Sequence, residues 1–143
     1  MYASRIVCIV LLAAGAGFAQ APSAGAAFQN LVKDARSRIK EVSVPQLPAL
    51  LNANPKPVLI DVREDNEWQA GHAAAAIHVG RGVLERDIET AVPAKDTPIV
   101  VYCQGGARSA LAADTLQKMG YTKVYSLAGG INAYRQAGMP MAK

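Results

Sequence analysis

Short apolar, β-branched runs alternate with mixed polar segments along most of this chain. Val58 to Val62, Ile99 to Tyr102 and Val124 to Ser126 read as buried strands, with Ile77 to Val79 a shorter one. The segments between them carry helix signals. Ser43 caps a helix over Pro45 to Asn52, with proline early, where its missing N–H costs nothing. Asn54-Pro55-Lys56-Pro57 is a loop. Glu64 to Gln69 reads as a short helix ending at Gly71, and Val83 to Ala91 as another, stopped by Pro93. Ser109 to Met119 is helical with Gly120 in the C′ position, and Gly130 to Gln136 forms a last helix before Gly138. Upstream, Leu31, Ala35 and Ile39 fall at helical spacing and favour an extra helix over Phe28 to Lys40. Strands alternating with helices predict an α/β fold, a mostly parallel central sheet flanked by helices on both faces. Ligands of such sheets sit at the carboxyl ends of the strands. The strand Ile99–Tyr102 ends there, at Cys103.

Composition changes this picture mainly at the N-terminus. The 143 residues suffice for one domain with a real core and are too few for two of ordinary size. Much of the 51% apolar content is concentrated in the first residues. Met1 to Ala21 reads as a secretory signal peptide. Arg5 supplies the positive start, Ile6 to Ala16 the apolar stretch, and Gly17-Phe18-Ala19 or Ala19-Gln20-Ala21 the small-x-small cleavage site. That stretch is shorter than the roughly 20 residues that span a bilayer, so a cleaved leader fits better than a retained anchor. The expected setting is exported, periplasmic, with no membrane contact after cleavage. Ala21 to Ala27 is a flexible linker. The chain thus divides into a signal peptide (1–21), a linker with an N-terminal helix (22–40) and one domain (41–143).

Charge excludes more than it assigns. The net charge is +4, and without Arg5 the 14 remaining basic and 11 acidic residues leave +3. No Lys/Arg stripe interleaved with aromatics appears, so nucleic acid is not expected as a partner. Mild basicity is compatible with small anionic substrates. Of the two cysteines, Cys8 lies in the leader, so Cys103 is the sole thiol of the exported chain and has no internal disulfide partner.

The candidate chemistry lies in residues 98–109, Pro-Ile-Val-Val-Tyr-Cys-Gln-Gly-Gly-Ala-Arg-Ser. A strand delivers Cys103 to a small glycine-bearing loop, and a helix follows at once. Backbone N–H groups in such a loop, with the helix N-terminus, cradle negative charge and favour a thiolate. Gly105 and Gly106 are expected because a loop curling around an anion needs angles that side chains forbid. The bland alternative is a buried structural cysteine at a strand end. Two glycines and Arg108 directly after Cys103 fit that alternative poorly. Asp61 and Arg63 either orient the loop or form a local ion pair that fixes a turn. Trp68 reads as core or as a wall of the cleft. His72 and His78 are six apart with no third ligand in view, so no metal site is expected. Structural roles fit both histidines, with His72 as a proton donor lining the site the other reading.

Tyr102-Cys103-Gln104-Gly105-Gly106-Ala107-Arg108-Ser109 resembles the active-site loop of the rhodanese (sulfurtransferase) family, whose single-domain members carry Cys-x-x-Gly-x-Arg-Ser/Thr. Leu59 to Glu64, Glu67-Trp68, Gly71-His72 and Ala76 to Val79 are similar to the family's Asp-Val-Arg strand end and the stretch after it. Leu127-Ala128-Gly129-Gly130-Ile131 with Ala133-Tyr134 resembles its late Leu-x-Gly-Gly-x-x-x-Trp block, with tyrosine in place of tryptophan. The three blocks stand in the family's order across residues 40–140.

The resemblance implies a rhodanese domain over 41–143 and ping-pong transfer of a sulfane sulfur through a Cys103 persulfide. The donor would be a small anion such as thiosulfate, and the acceptor cyanide or a thiol. No metal or organic cofactor is implied. Gln104, Gly105, Gly106, Ala107, Arg108 and Ser109 would bind the donor through loop amides. Arg108 would either touch the sulfonate or hold the loop. Gln104 stands where several members have arginine, which removes one charge from the rim. A carrier passing sulfur to a protein partner is the alternative. Phosphatase or arsenate reductase activity ranks lower, because related loops of that kind are Cys-x5-Arg, one residue longer than the loop here.

Overall fold

A computed structural model describes residues 25–143; the leader read over residues 1–21 and the start of the linker lie outside the described residues. α1 (Ala26–Arg36), β1 (Lys40–Val42), α2 (Leu47–Leu51), β2 (Val58–Asp61), α3 (Asp65–Gln69), β3 (His72–Ala73) and β4 (Ala76–His78) come first. α4 (Leu84–Ala91), β5 (Ile99–Tyr102), α5 (Ala107–Lys118), β6 (Val124–Leu127), α6 (Gly130–Gln136) and β7 (Met141–Ala142) follow. Five strands form one parallel sheet in the order β1-β6-β5-β2-β4, as the alternating pattern predicts.

β5 is the central strand. It pairs with β2 from Val58↔Ile99 to Asp61↔Tyr102 and with β6 from Ile99↔Val124 to Val101↔Ser126. All four of its residues are buried, which is why its sequence is an unbroken apolar run. Ile60, Ile99, Val101 and Val124 pack with Leu84 and Ile88 of α4 and with Ala112, Ala113 and Leu116 of α5. Leu59, Val100, Tyr102 and Leu127 belong to the opposite layer, with Leu47 of α2 and Ile131 and Tyr134 of α6. Burying one such aliphatic side chain contributes about 1.5–3 kcal/mol, so the two layers hold the end of β5 firmly.

The upstream helix differs from its expected bounds. α1 ends at Arg36 rather than at Lys40, and residues 40–42 become the edge strand β1, paired with β6 from Lys40↔Tyr125 to Val42↔Leu127. Sheet pairing satisfies the backbone of these residues and overrides the helical spacing of Ile39. α1 packs on α5, burying Val32 and Ala35. Arg38 then donates through Nε and Nη2 to Asp114 of α5 at 2.8 and 3.0 Å.

The segment after Ser43 begins with a 3-10 turn over Val44–Gln46 before α2. There Gln46 Oε1 accepts from Ser43 N and Oγ at 3.0 and 2.9 Å. The small antiparallel pair β3–β7 was not legible in the sequence; two residues a side carry no period.

Candidate active site

β5 places Cys103 at its carboxyl end, buried with 1% of its surface exposed. The loop turns back over the thiol. Gly106 N donates to Cys103 Sγ at 3.1 Å, the amide-to-sulfur contact that an anion cradle requires. Gly106 achieves this at φ +100°, in the left-handed region open to glycine. Gly105 does not share that conformation, so the expectation for it is corrected. One left-handed residue is enough to close the turn.

α5 begins at Ala107, two residues before the expected start at Ser109. Its first intrahelical bond runs from Ala110 N to the Gly106 carbonyl at 3.1 Å. The N–H groups of Ala107, Arg108 and Ser109 precede it, where a helix offers no intrahelical acceptor. They form the positive end of a 12-residue helix dipole beside the thiol. The Ser109 side chain is turned away from this end. Its hydroxyl donates to the Gly106 carbonyl at 3.2 Å and accepts from Ser126 Oγ at 2.9 Å, fully buried.

The other wall of the loop is held by α6. Ile131 N donates to the Cys103 carbonyl at 2.8 Å and Asn132 N to the Gln104 carbonyl at 3.2 Å. Gln104 Nε2 also donates to Asn132 Oδ1 at 2.9 Å. Gly130 (φ +56°) permits this approach, because a Cβ there would stand 2.4 Å from the Cys103 carbonyl oxygen. This is the physical content of the Gly129-Gly130 block.

Arg108 points to α3. Its Nη1 and Nη2 donate to the two Glu67 carboxylate oxygens at 2.6 and 2.8 Å, with Glu64 3.8 Å from Nη1. The guanidinium holds the Glu67 carboxyl at about 2, well below the ordinary carboxylate range. Neither Glu67 nor Asn132 was singled out as a site residue. The pairs Glu67–Arg108 and Gln104–Asn132 are 41 and 28 residues apart, and no local pattern announces them.

Asp61 and Arg63 form the local ion pair. Arg63 Nε and Nη2 donate to Asp61 at 3.0 and 2.6 Å, both side chains are buried, and Nη2 also reaches the Gly71 carbonyl at 2.9 Å. This fork ties the end of β2 to the start of β3. Tyr102 Oη accepts from Ala73 N at 3.1 Å in the same layer, and burial pushes its phenol up. Trp68 is half-buried between two imidazoles, with ring centroids 3.4 Å from His72 and 5.0 Å from His78. His72 Nδ1 lies 3.2 Å from the Trp68 carbonyl, and His78 Nε2 donates to the Arg63 carbonyl at 2.9 Å. Both histidines therefore brace Trp68 and the backbone around it.

A family model described as the Rhodanese-like domain matches residues 43–137, a span that contains the loop, the α3 wall and the α6 wall. The chain is 33% identical over 99 residues to the thiosulfate sulfurtransferase GlpE of Tolumonas auensis, covering 69% of this chain and 91% of that one. It is 36% identical over 101 residues to the tRNA uridine(34) hydroxylase of Protochlamydia amoebophila, where the match is 66% of this chain and 32% of that protein. For two of the curated relatives it matches, the chain spans 61% and 32% of their length. Among solved structures it superposes on the polysulfide-sulfur transferase homodimer of Wolinella succinogenes with TM-score 0.71 and 32% identity, over 84% of this chain and 90% of that one. The parallel sheet, the cysteine at the end of its central strand and the matched span agree: the chain belongs to the rhodanese-like domain family.

Proposed function

We propose that the protein is a sulfurtransferase that carries a sulfane sulfur as a persulfide on Cys103, in an exported, periplasmic setting. The observation that carries this reading is the 3.1 Å bond from Gly106 N to Cys103 Sγ, beside the N-terminus of α5. A thiolate nucleophile and an anionic persulfide need the same cradle, and the amides serve both.

The reaction runs in two displacements. The Cys103 thiolate attacks the outer sulfur of a donor such as thiosulfate. The new Sγ–S bond forms as the donor's S–S bond breaks, and its electron pair leaves on sulfite. Cyanide or a thiolate then attacks the outer persulfide sulfur. That sulfur departs as thiocyanate or a new persulfide, and the electron pair returns to Cys103. Covalent catalysis thus divides one exchange into two easier steps. Gly106 N–H and the first amides of α5 hold the charge at each stage, while Ile131, Asn132 and the Glu67–Arg108 fork keep the loop in shape.

The test is mass spectrometry of protein exposed to excess thiosulfate or to a low-molecular-weight persulfide, with Cys103→Ser in parallel. A gain of about 32 Da, one sulfur atom, is expected on the wild type and not on the variant. Cyanide should remove the gain and yield thiocyanate. A persulfide that forms without turnover to cyanide would identify a carrier that serves a protein acceptor. No gain from either donor would overturn the reading.

A further inference from the structure

The two arginines nearest the ends of the loop's strands and helix, Arg108 and Arg63, are already engaged. Arg108, the only basic residue of the loop, gives both terminal nitrogens to Glu67 at 2.6 and 2.8 Å. Arg63 is buried against Asp61. Arg36 of α1 comes beside Gly106, where its Nη2 would lie 3.4 Å from a Cβ built on that glycine, and its Nε pairs with Glu41 at 3.3 Å. The exposed rim residue, Gln104, is neutral and donates to the neutral Asn132. Glu64, itself exposed, adds a second carboxylate beside Arg108. Within the loop itself the site therefore offers backbone amides and uncharged side chains, with its one arginine paired to Glu67.

We propose that Glu67 is a specificity-determining residue: by fixing and neutralising Arg108 it makes the site select an organic persulfide over thiosulfate as sulfur donor. The proposal rests on the reading of Cys103 as the persulfide-forming thiol. Thiosulfate is a dianion, and attack by a thiolate gathers three negative charges in the transition state. A cradle of amides whose one loop guanidinium is already paired with a carboxylate is poorly matched to that sum. A persulfide brings at most one charge, and its protonated form R–S–SH, the form whose outer sulfur is electrophilic, brings none. The Cys103 thiolate attacks its terminal sulfur, the R–S bond to that sulfur breaks, and the pair leaves on R–S⁻. Attack on the protonated form keeps one negative charge throughout, and the amide cradle meets it; the proton is taken from solvent before the attack. The ion pair persists over the whole neutral range, since Glu67 is held at about 2.

The experiment compares two donors, thiosulfate and the persulfide of 2-mercaptoethanol, whose tail is uncharged, with cyanide as acceptor. kcat/KM is measured for each on wild type, Glu67→Gln and Gln104→Arg. Wild type should favour the persulfide. Glu67→Gln frees the Arg108 fork, and the thiosulfate-to-persulfide ratio should rise about tenfold, the worth of one charge-assisted hydrogen bond, chiefly through a lower KM for thiosulfate. Gln104→Arg adds a cation at an exposed rim position without disturbing the fork, and should raise the ratio in the same sense. A purely structural role for Glu67 would lower both donors together. A ratio that stays put in Gln104→Arg and in a folded Glu67→Gln overturns the proposal, as does a wild type that uses thiosulfate as well as the persulfide. In those cases the gain of one sulfur on wild-type Cys103 still stands. Absence of that gain with both donors would overturn the persulfide reading and this proposal with it.

Discussion

At the scale of single residues, the two glycines that look alike in the sequence do different work. Gly105 has no neighbour within 4 Å of an added Cβ and no positive φ, whereas Gly130 has both a positive φ and a carbonyl at 2.4 Å. Gly130→Ala must push the Cys103 and Gln104 carbonyls away, at a cost of about 1–3 kcal/mol for overpacking alone. Gly105→Ala should stay within about 0.5 kcal/mol of wild type, as an unobstructed surface change does. Urea unfolding of the two variants checks this pair. Equal destabilisation would show that α6 does not press on the loop at Gly130. Arg108 teaches the same lesson from the other side. Its place in the loop was plain from the sequence, but its role depends on a carboxylate 41 residues away.

At the scale of elements, the loop is a junction between two helix starts. Gly106, at the N-cap of α5, turns its amide to the thiol, and α6 grips the carbonyls behind it. A more distant brace holds the other layer. Arg63 and Arg135 both donate to the Gly71 carbonyl, at 2.9 and 3.0 Å, and β7 pairs with β3. Tyr134 Oη donates to the Pro140 carbonyl at 3.0 Å, which also accepts from Ala74 N at 3.0 Å, so the tyrosine clips the C-terminal strap to α6. Tyr134→Phe should cost about 1 kcal/mol, the usual net worth of one hydrogen bond. The loss is expected to be local. Amide exchange should accelerate at Ala74 and along β3–β7 while β5 keeps its protection. Equal acceleration in β5 would mean that the strap and the central sheet open as one unit.

At the scale of the whole molecule, two carboxylates tie separate elements to α5. Glu67 links α3 to it through Arg108, and Asp114 links the α1–β1 connection to it through Arg38. Their partners hold both carboxyls at about 2, against ordinary values of 4.5 and 3.8. A folded-state value below the unfolded one stabilises the fold at pH above the ordinary value and loses that contribution as pH falls through the folded value. Thermal stability should therefore hold from neutrality down to about pH 4.5 and decline between about 4.5 and 2 as these two groups protonate. The double variant Glu67→Gln, Asp114→Asn should start lower and show a flatter acid limb in a series of melting curves. An acid limb as steep as the wild type's would assign the decline to other groups.

Much of the fold is legible in the sequence. The runs at Val58, Ile99 and Val124 are local patterns, and burial on both faces of a parallel sheet demands such runs, so they specify the strands by themselves. Gly120, at φ +95°, ends α5 where a C′ glycine belongs. The succession of Cys103, glycines and Arg108 at a strand end likewise marks a buried thiol in a tight loop before a helix, because strand, loop and helix start are contiguous in the chain. Only the tertiary structure decided which carboxylate holds Arg108, which glycine touches the Cys103 carbonyl, where α1 gives way to β1, and that β7 returns to β3. Those outcomes rest on distances through space between residues far apart in the chain, or on backbone pairing of two or three residues too short to leave a period. Neighbour-to-neighbour patterning carries no record of either.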